Sequence, residues 1–230
     1  MEQFWDARAR EDAFFFVDSR LDYGSPDHEA FWTGGVEALD RMLLALGAEV
    51  TADQVVVDIG CGLGRLTRPL AERAARVIAV DISKEMLAKA RELNSDLDNV
   101  EWMHGDGTSL QPVADASVDA CVSHVVFRHM PDPAITLGYV RDMGRVLRRG
   151  GFAAFELSTD PEAHRPRTVG VRGRVAAAVG RRPRGEADPA WVGSSVDVRD
   201  LREVAAEAGL ETARIVGEAT EFCAVLLTRR

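Results

Sequence analysis

Three features of this chain have residue types and spacing suited to chemistry: a glycine-rich turn, aspartates that follow short apolar runs, and two histidines. The turn is Val55-Val-Val-Asp58-Ile-Gly60-Cys61-Gly62-Leu-Gly64-Arg65. Glycines at this spacing, after a buried strand and before a helix, let the backbone turn sharply and approach a ligand closely. The N–H groups that open the helix then face that ligand. Asp81 ends the next apolar run, 17 residues after Gly64. A carboxylate there is placed to accept hydrogen bonds from both hydroxyls of a ribose. Gly105-Asp106-Gly107, after a third run, adds an acid suited to the exocyclic amine of adenine. The turn is not the dinucleotide fingerprint, because its third glycine comes one residue early and position 65 is Arg. Asp58 also stands where dinucleotide enzymes usually have an apolar residue. A ligand with an adenosine but no pyrophosphate accounts for both departures.

The elements that must position these residues follow from periodicity. Val55 to Ile59 is a continuous, β-branched apolar run, expected as a strand buried on both faces. Leu66, Leu70 and Ala74 recur at helical spacing, with Pro69 tolerable in the first turn of a helix starting near Arg65. Arg76 to Val80 reads as the second strand. Ser83 caps a helix whose apolar face is Met86, Ala90 and Leu93. Val100 to His104 and Val118 to Ser123 are the third and fourth strands. Pro133 to Leu147 is an amphipathic helix with Tyr139, Met143 and Val146 on one side, ended by Gly150-Gly151. Gly151 to Leu157 is the fifth strand. Asp197 caps a helix through Ala208, and Glu211 to Val216 and Phe222 to Thr228 close the chain as an antiparallel pair. This alternation predicts an α/β fold: a doubly wound, Rossmann-like sheet of seven strands whose last strand is antiparallel.

With these motifs in order, the chain resembles a class I S-adenosylmethionine-dependent methyltransferase of the small-molecule type over residues 55–228. The resemblance rests on Asp58-Ile-Gly-Cys-Gly-Leu-Gly64, Asp81-Ile-Ser, Gly105-Asp-Gly, Ser117-Val-Asp-Ala-Cys-Val-Ser123 and Leu147-Arg-Arg-Gly-Gly151. It implies that the backbone of Gly60, Cys61, Gly62 and Gly64 holds the methionine portion of the cofactor, with Asp58 anchoring its amino end. Asp81 would grip the ribose and Ile82 would flank the adenine. Asp106 would accept from the adenine amine, and Gly107 would contribute backbone contacts. Ser123 and His124 would line the transfer site. Residues 51–230 are then the cofactor-binding domain, and the helical, aromatic-rich residues 1–50 its lid. Trp5, Phe15 and Trp32 are the expected walls over an acceptor, although such rings also serve as ordinary core. Residues 160–196 have no clear period and read as a cap or mobile loop. Their arginines (Arg165, Arg167, Arg172, Arg174, Arg181, Arg182, Arg184) could attract an anionic acceptor or simply be solvated.

Methyl transfer to a hydroxyl needs a general base. The candidates lie in Ser123-His124-Val-Val-Phe-Arg-His129. The resemblance favours His129 over His124, and a buried structural histidine is the other reading of each. The end of the fourth strand lacks the Asn/Asp-Pro-Pro-Tyr of amide and adenine methyltransferases. It also lacks the Pro-Cys of cytosine C5 enzymes and the Asp of metal-dependent catechol enzymes, so no metal is expected.

Composition bounds the partners. Among 230 residues, 28 are basic and 37 acidic, a net charge of −9, and 46% are hydrophobic. A core is affordable in length and composition, while a domain-wide basic surface for nucleic acid is absent. Cys61, Cys121 and Cys223 are far apart and odd in number, which fits a reducing compartment. The opening Met-Glu-Gln-Phe-Trp-Asp does not read as a signal peptide, and no run has the length of a membrane span. The expectation is a cytoplasmic enzyme that transfers methyl groups to a small molecule, with oxygen favoured over nitrogen or carbon, and with neither nucleic acid nor membrane as partner. The alternatives are a non-catalytic cofactor-binding module and a methyltransferase acting on protein or RNA. The oligomeric state is not legible in the sequence.

Overall fold

The computed structural model describes residues 1–165 and 188–230. Two helices come first, α1 (Glu2–Val17) and α2 (His28–Leu46). Then come β1 (Val55–Ile59), α3 (Thr67–Ala71), β2 (Arg76–Asp81), α4 (Lys84–Leu93) and β3 (Val100–His104). β4 (Val118–Ser123), α5 (Pro133–Val146) and β5 (Leu147–Leu157) follow. After the short α6 (Pro189–Val192), α7 (Val198–Glu207), β6 (Leu210–Val216) and β7 (Cys223–Arg229) end the order. The strands form one sheet in the order β3-β2-β1-β4-β5-β7-β6, in which β7 alone runs antiparallel to its neighbours. The doubly wound, seven-stranded expectation is met.

Alternation along each buried strand divides the core between the two faces of the sheet. Val56, Val77, Ala120, Val122 and Ala154 pack with Leu39, Met42, Leu43 and Leu46 of α2 and Leu70 of α3. Val57, Ile59, Ile78, Cys121 and Phe155 pack on the other face with Tyr139 and Met143 of α5 and Leu201 and Ala205 of α7. Both layers hold the sheet rigidly beneath the carboxyl ends of β1, β2 and β4, where open α/β sheets bind ligands.

Local chemistry sets the element ends. Ser83 accepts from Met86 N–H to cap α4, Asp132 caps α5 and Asp197 caps α7. Two local expectations need correction. Gly150-Gly151 do not end the α5 helix, which stops at Leu147; they lie inside β5, with Gly150 at φ +82°, where the register against β4 shifts. Leu93 is exposed at 39% and is replaced on the buried face of α4 by Leu87.

The helical reading of residues 1–50 holds. Asp12 interrupts α1 in extended backbone, and its carboxylate accepts from Phe15 N–H (3.1 Å) and Gly24 N–H (2.7 Å). The half of α1 before this break docks on α4. Asp6 Oδ1 accepts from Ser83 Oγ (2.7 Å) and Glu85 N–H (3.2 Å), and Arg10 pairs with Glu85 (2.6 Å) and Lys84 with Glu2 (2.9 Å). Of the arginine-rich stretch, Arg165 is described; Arg167 to Arg184 lie outside the described residues. Among the described residues no helix is long and apolar enough to cross a membrane.

Candidate active site

The glycine turn leaves β1 and folds under the end of β2. Gly60 N–H and Cys61 N–H both donate to Val80 O, at 2.8 and 3.0 Å. Gly60 adopts φ +73° and Gly62 φ +55°, conformations that favour glycine. A Cβ on Gly60 would lie 2.4 Å from Val126 Cγ2, and one on Gly62 2.8 Å from Val17 Cγ2. The turn is therefore pressed between the segment after β4 and the end of α1. Gly64 faces away, against Asn94 and Trp102, where it lets the loop pack on α4.

Asp81 organises this turn from below. Its Oδ2 accepts from Gly62 N–H and its Oδ1 from Ser83 N–H, each at 2.8 Å. Each oxygen keeps a further lone pair, so the carboxylate can accept two more hydrogen bonds. Burial raises its pKa, against the two backbone donors. Asp58 is buried at the end of β1 and accepts from Thr67 Oγ1 at 2.6 Å. Burial pushes it up to about 7, with the Asp81 charge adding in the same direction. Two acids raised by burial are primed to meet a cation or hydroxyl donors.

One cleft, enclosing about 1060 Å³ including its open mouth, runs past these groups. Asp58, Gly60, Cys61, Gly62, Asp81 and Ile82 line it, as do Gly107, His124 and His129. Three expected site residues do not. Gly64 packs on α4, as above. Ser123 is fully buried, and its Oγ donates to Ile59 O at 2.9 Å, tying β4 to β1. Asp106 closes its own turn instead: it accepts from Thr108 N–H, Thr108 Oγ1, Ser109 N–H and Ser109 Oγ at 2.7–3.0 Å. Gly107 faces the cleft in its place; a Cβ there would lie 2.2 Å from Ile82 Cδ1.

Beyond the turn the cleft becomes aromatic and basic. Val125, at the tip of β4, has φ +64°, an unusual state for a β-branched residue and one often held at ligand sites. It separates the two histidines' neighbourhoods. Arg65 Nη2 lies 3.2 Å from His124 Nδ1; since a guanidinium only donates, Nδ1 accepts. His124 Nε2 faces Glu156 Oε2 at 3.4 Å. Burial, then the charge of Arg65, hold this ring down to about 3. Its lone-pair nitrogen is already taken by Arg65, so His124 is poorly placed to take a proton.

His129 differs. Its Nδ1 lies 3.0 Å from the Trp191 carbonyl and must donate to it, which leaves Nε2 as the basic nitrogen. Burial, then Arg128, hold it down to about 4, and therefore neutral at physiological pH. The ring meets Trp5 edge-on (centroids 5.6 Å) and leans on Trp191 (5.3 Å). Trp5 and Phe16 of α1 line the cleft, with Trp191 packed against both. The expected walls Phe15 and Trp32 are elsewhere: Phe15 packs on Tyr23, and Trp32 on Phe31 and under Arg68.

Sequence reasoning missed Arg65 and Trp191 as site residues. Arg65 registered only as a break in a fingerprint, and Trp191 lay within a stretch without period. Its Asp188-Pro189 start, a capping acid before Pro at the first helical position, was the signal available.

The cleft fits an adenosyl sulfonium ligand. Two glycines are crowded by cleft-lining side chains where any Cβ would intrude, and two acids, Asp58 buried and Asp81 half-buried, stand at the tips of neighbouring strands. Comparison with known proteins agrees. Residues 57–155 match the family model described as "Methyltransferase domain". The chain is 40% identical over 114 residues to trans-aconitate 2-methyltransferase of Azoarcus sp. (strain BH72), covering 48% of this chain and 42% of that protein. It is 31% identical over 148 residues to N-demethylindolmycin N-methyltransferase of Streptomyces griseus, covering 64% and 62%. The match thus spans less than two thirds of either relative. The fold is shared with magnesium protoporphyrin IX methyltransferase of Synechocystis PCC 6803, solved with bound SAH (TM-score 0.62, 18% identity, 100% of this chain and 98% of that one). Residues 57–155 thus match a methyltransferase domain, and the glycine turn and sheet order are those of the class I S-adenosylmethionine-dependent methyltransferase fold.

Proposed function

We propose that this protein transfers the methyl group of S-adenosylmethionine to a small-molecule acceptor, with oxygen as the favoured acceptor atom. The observation that carries the reading is one cleft with two acids, Asp58 and Asp81, at one end and a neutral, tautomer-fixed histidine at the other. Bound there, the cofactor supplies a methyl group on a sulfonium, which a nucleophile displaces in line.

The chain's own residues do the rest. Asp81 accepts from the ribose hydroxyls while it holds Gly62 and Ser83. Asp58 faces the amino end, and the backbone of Gly60, Cys61 and Gly62 cradles the methionine portion. Ile82 and Gly107 flank the adenine, and Asp106 keeps the turn that presents Gly107. His129 Nε2 takes the proton of an acceptor hydroxyl, a contribution of about 10²–10⁴-fold. Trp5 and Phe16 exclude water and wall the acceptor, and their faces favour a cation. Residues 1–50 act as the lid over residues 51–230. The aromatic lining favours a small organic acceptor. The two relatives' names, which refer to trans-aconitate and N-demethylindolmycin, support the same class.

The test is label transfer from methyl-tritiated S-adenosylmethionine in a metabolite extract. The reading expects label in the small-molecule fraction, lost in His129→Gln. Label confined to protein or RNA, or turnover unchanged in His129→Gln, contradicts it.

A further inference from the structure

We propose that Arg65 is a carboxylate-recognition residue of the cleft, gripping the acidic group of a bound small molecule. The inference rests on the methyltransferase reading and adds a chemical class of ligand to it.

Arg65 is a buried cation without a full set of partners. Its side chain is 6% exposed, yet it lines the cleft. A guanidinium carries five N–H donors. Here Nη1 donates to Asp18 Oδ2 and Gly34 O, both at 3.3 Å, and Nη2 to His124 Nδ1 at 3.2 Å. Nε is buried and has no hydrogen-bond partner among the described residues. All three bonds are long for contacts of a charged group.

Asp18, the one carboxylate paired with it among the described residues, is committed elsewhere. Arg20 holds both Asp18 oxygens, through Nε at 2.8 Å and Nη2 at 2.6 Å. That pair shows the geometry Arg65 lacks: a carboxylate on the Nε/Nη2 edge by two short, parallel bonds. On Arg65 the same edge carries only the His124 nitrogen. Asp58 and Glu156 act on Arg65 only through space, without a hydrogen bond, and the His124 ring stands between Arg65 and Glu156, its Nδ1 on Arg65 and its Nε2 facing Glu156.

Charge points the same way. Burying a cation with incomplete partners is costly unless a ligand completes them. Arg65, Arg20 and Arg41 all act on His124 as positive charges, opposed by Asp18. In a chain of net charge −9, this end of the cleft is locally positive, whereas the Asp58 and Asp81 end is acidic. The cleft is thus polarised to take a cationic group at one end and an anion at the other.

A carboxylate could reach Arg65 from the acceptor or from the amino-acid end of the cofactor. Calorimetry on the full chain distinguishes the sources in two arms. The first compares S-adenosylhomocysteine with S-adenosyl-3-thiopropylamine, which lacks only the carboxylate. The second, with S-adenosylhomocysteine bound, compares benzoate, phenylacetate and succinate with their amides. The proposal expects the native chain to prefer the carboxylate at least tenfold in one arm, and Arg65→Met to abolish that preference. Binding of 5′-methylthioadenosine, which has no carboxylate, should survive in the variant and shows that it is folded. If Arg65→Met does not fold, Arg65→Lys, which keeps the charge but not the planar fork, should still cut the preference. No preference in either arm, or a preference that survives both substitutions, overturns the proposal. Failure of the native chain to bind any adenosyl ligand would instead strike the methyltransferase reading.

Discussion

Asp81→Asn separates a residue that grips a ligand from one that merely holds a turn. Each Asp81 oxygen accepts one backbone N–H at 2.8 Å, from Ser83 and Gly62. The amide has a single acceptor oxygen, so it keeps one bond and sets an NH₂ against the other donor. In the free protein this loses a charge-assisted bond, roughly 1.5–3 kcal/mol. The loss is offset because a charge whose pKa burial has raised no longer needs burying. The net change in stability should be about 1 kcal/mol, or roughly 2–4 °C in Tm for a chain of this size. The ligand fares worse. Two ribose hydroxyls meet one oxygen already shared with the backbone, a loss of roughly 2–4 kcal/mol, or about 30- to 900-fold in Kd. Calorimetry with S-adenosylhomocysteine and thermal unfolding, on the variant and on exposed Asp98→Asn as control, read both quantities. An affinity within threefold of the native protein refutes the ribose assignment, and a Tm lowered by more than about 10 °C refutes the stability argument.

The other predictions concern pH, the base and the lid. Asp58 sits at about 7 in the fold and near 3.9 unfolded, so the native state holds the extra proton between these values. That group's contribution therefore falls as pH rises from about 4 to about 7, by about 4 kcal/mol at most. Urea titrations near pH 5 and pH 8 should show Asp58→Asn gaining stability relative to the native chain at the higher pH; a constant difference contradicts the argument. Because burial, then Arg128, hold His129 down to about 4, the acid limb of kcat at saturating S-adenosylmethionine, where Asp58 is already paired with the cofactor, should fall near 4, and a limb centred near 6.5 would exclude His129 as the base. His129→Gln should leave S-adenosylhomocysteine affinity within about twofold, because the reading gives this residue a proton to take and no cofactor contact. Asp6→Ala removes the acceptor of Ser83 Oγ and Glu85 N–H, at a cost of roughly 0.5–2 kcal/mol. Stopped-flow release of S-adenosylhomocysteine should be faster in that variant, and an unchanged rate argues against α1 as a lid.

The parts of the fold legible in the sequence are those governed by local pattern. The bounds of β1 follow from a β-branched run and those of β3 and β4 from short, largely apolar segments, and Ser83 and Asp197 announce their helices as capping residues. Gly150-Gly151 misled because a glycine pair looks alike at a helix stop and at a bulge; pairing with β4 decides which it is. Within the site, the glycine turn and Asp81 were readable because the backbone itself makes the cradle. Asp106 was not, since whether a carboxylate is free depends on neighbours, here Thr108 and Ser109, that also suit a loop. Arg65 and its partners were beyond reach for another reason. Asp18, Gly34 and His124 come from three separate segments, and only the folded chain brings them around one guanidinium.

The central claim is that the cleft beneath α1 holds an adenosyl sulfonium on Gly60–Gly62 and Asp81. Titration of the native chain with S-adenosylhomocysteine and, in parallel, with NADPH tests it most directly. The account predicts saturable one-to-one binding of S-adenosylhomocysteine and none of NADPH. Absence of S-adenosylhomocysteine binding, or tighter binding of NADPH, contradicts it.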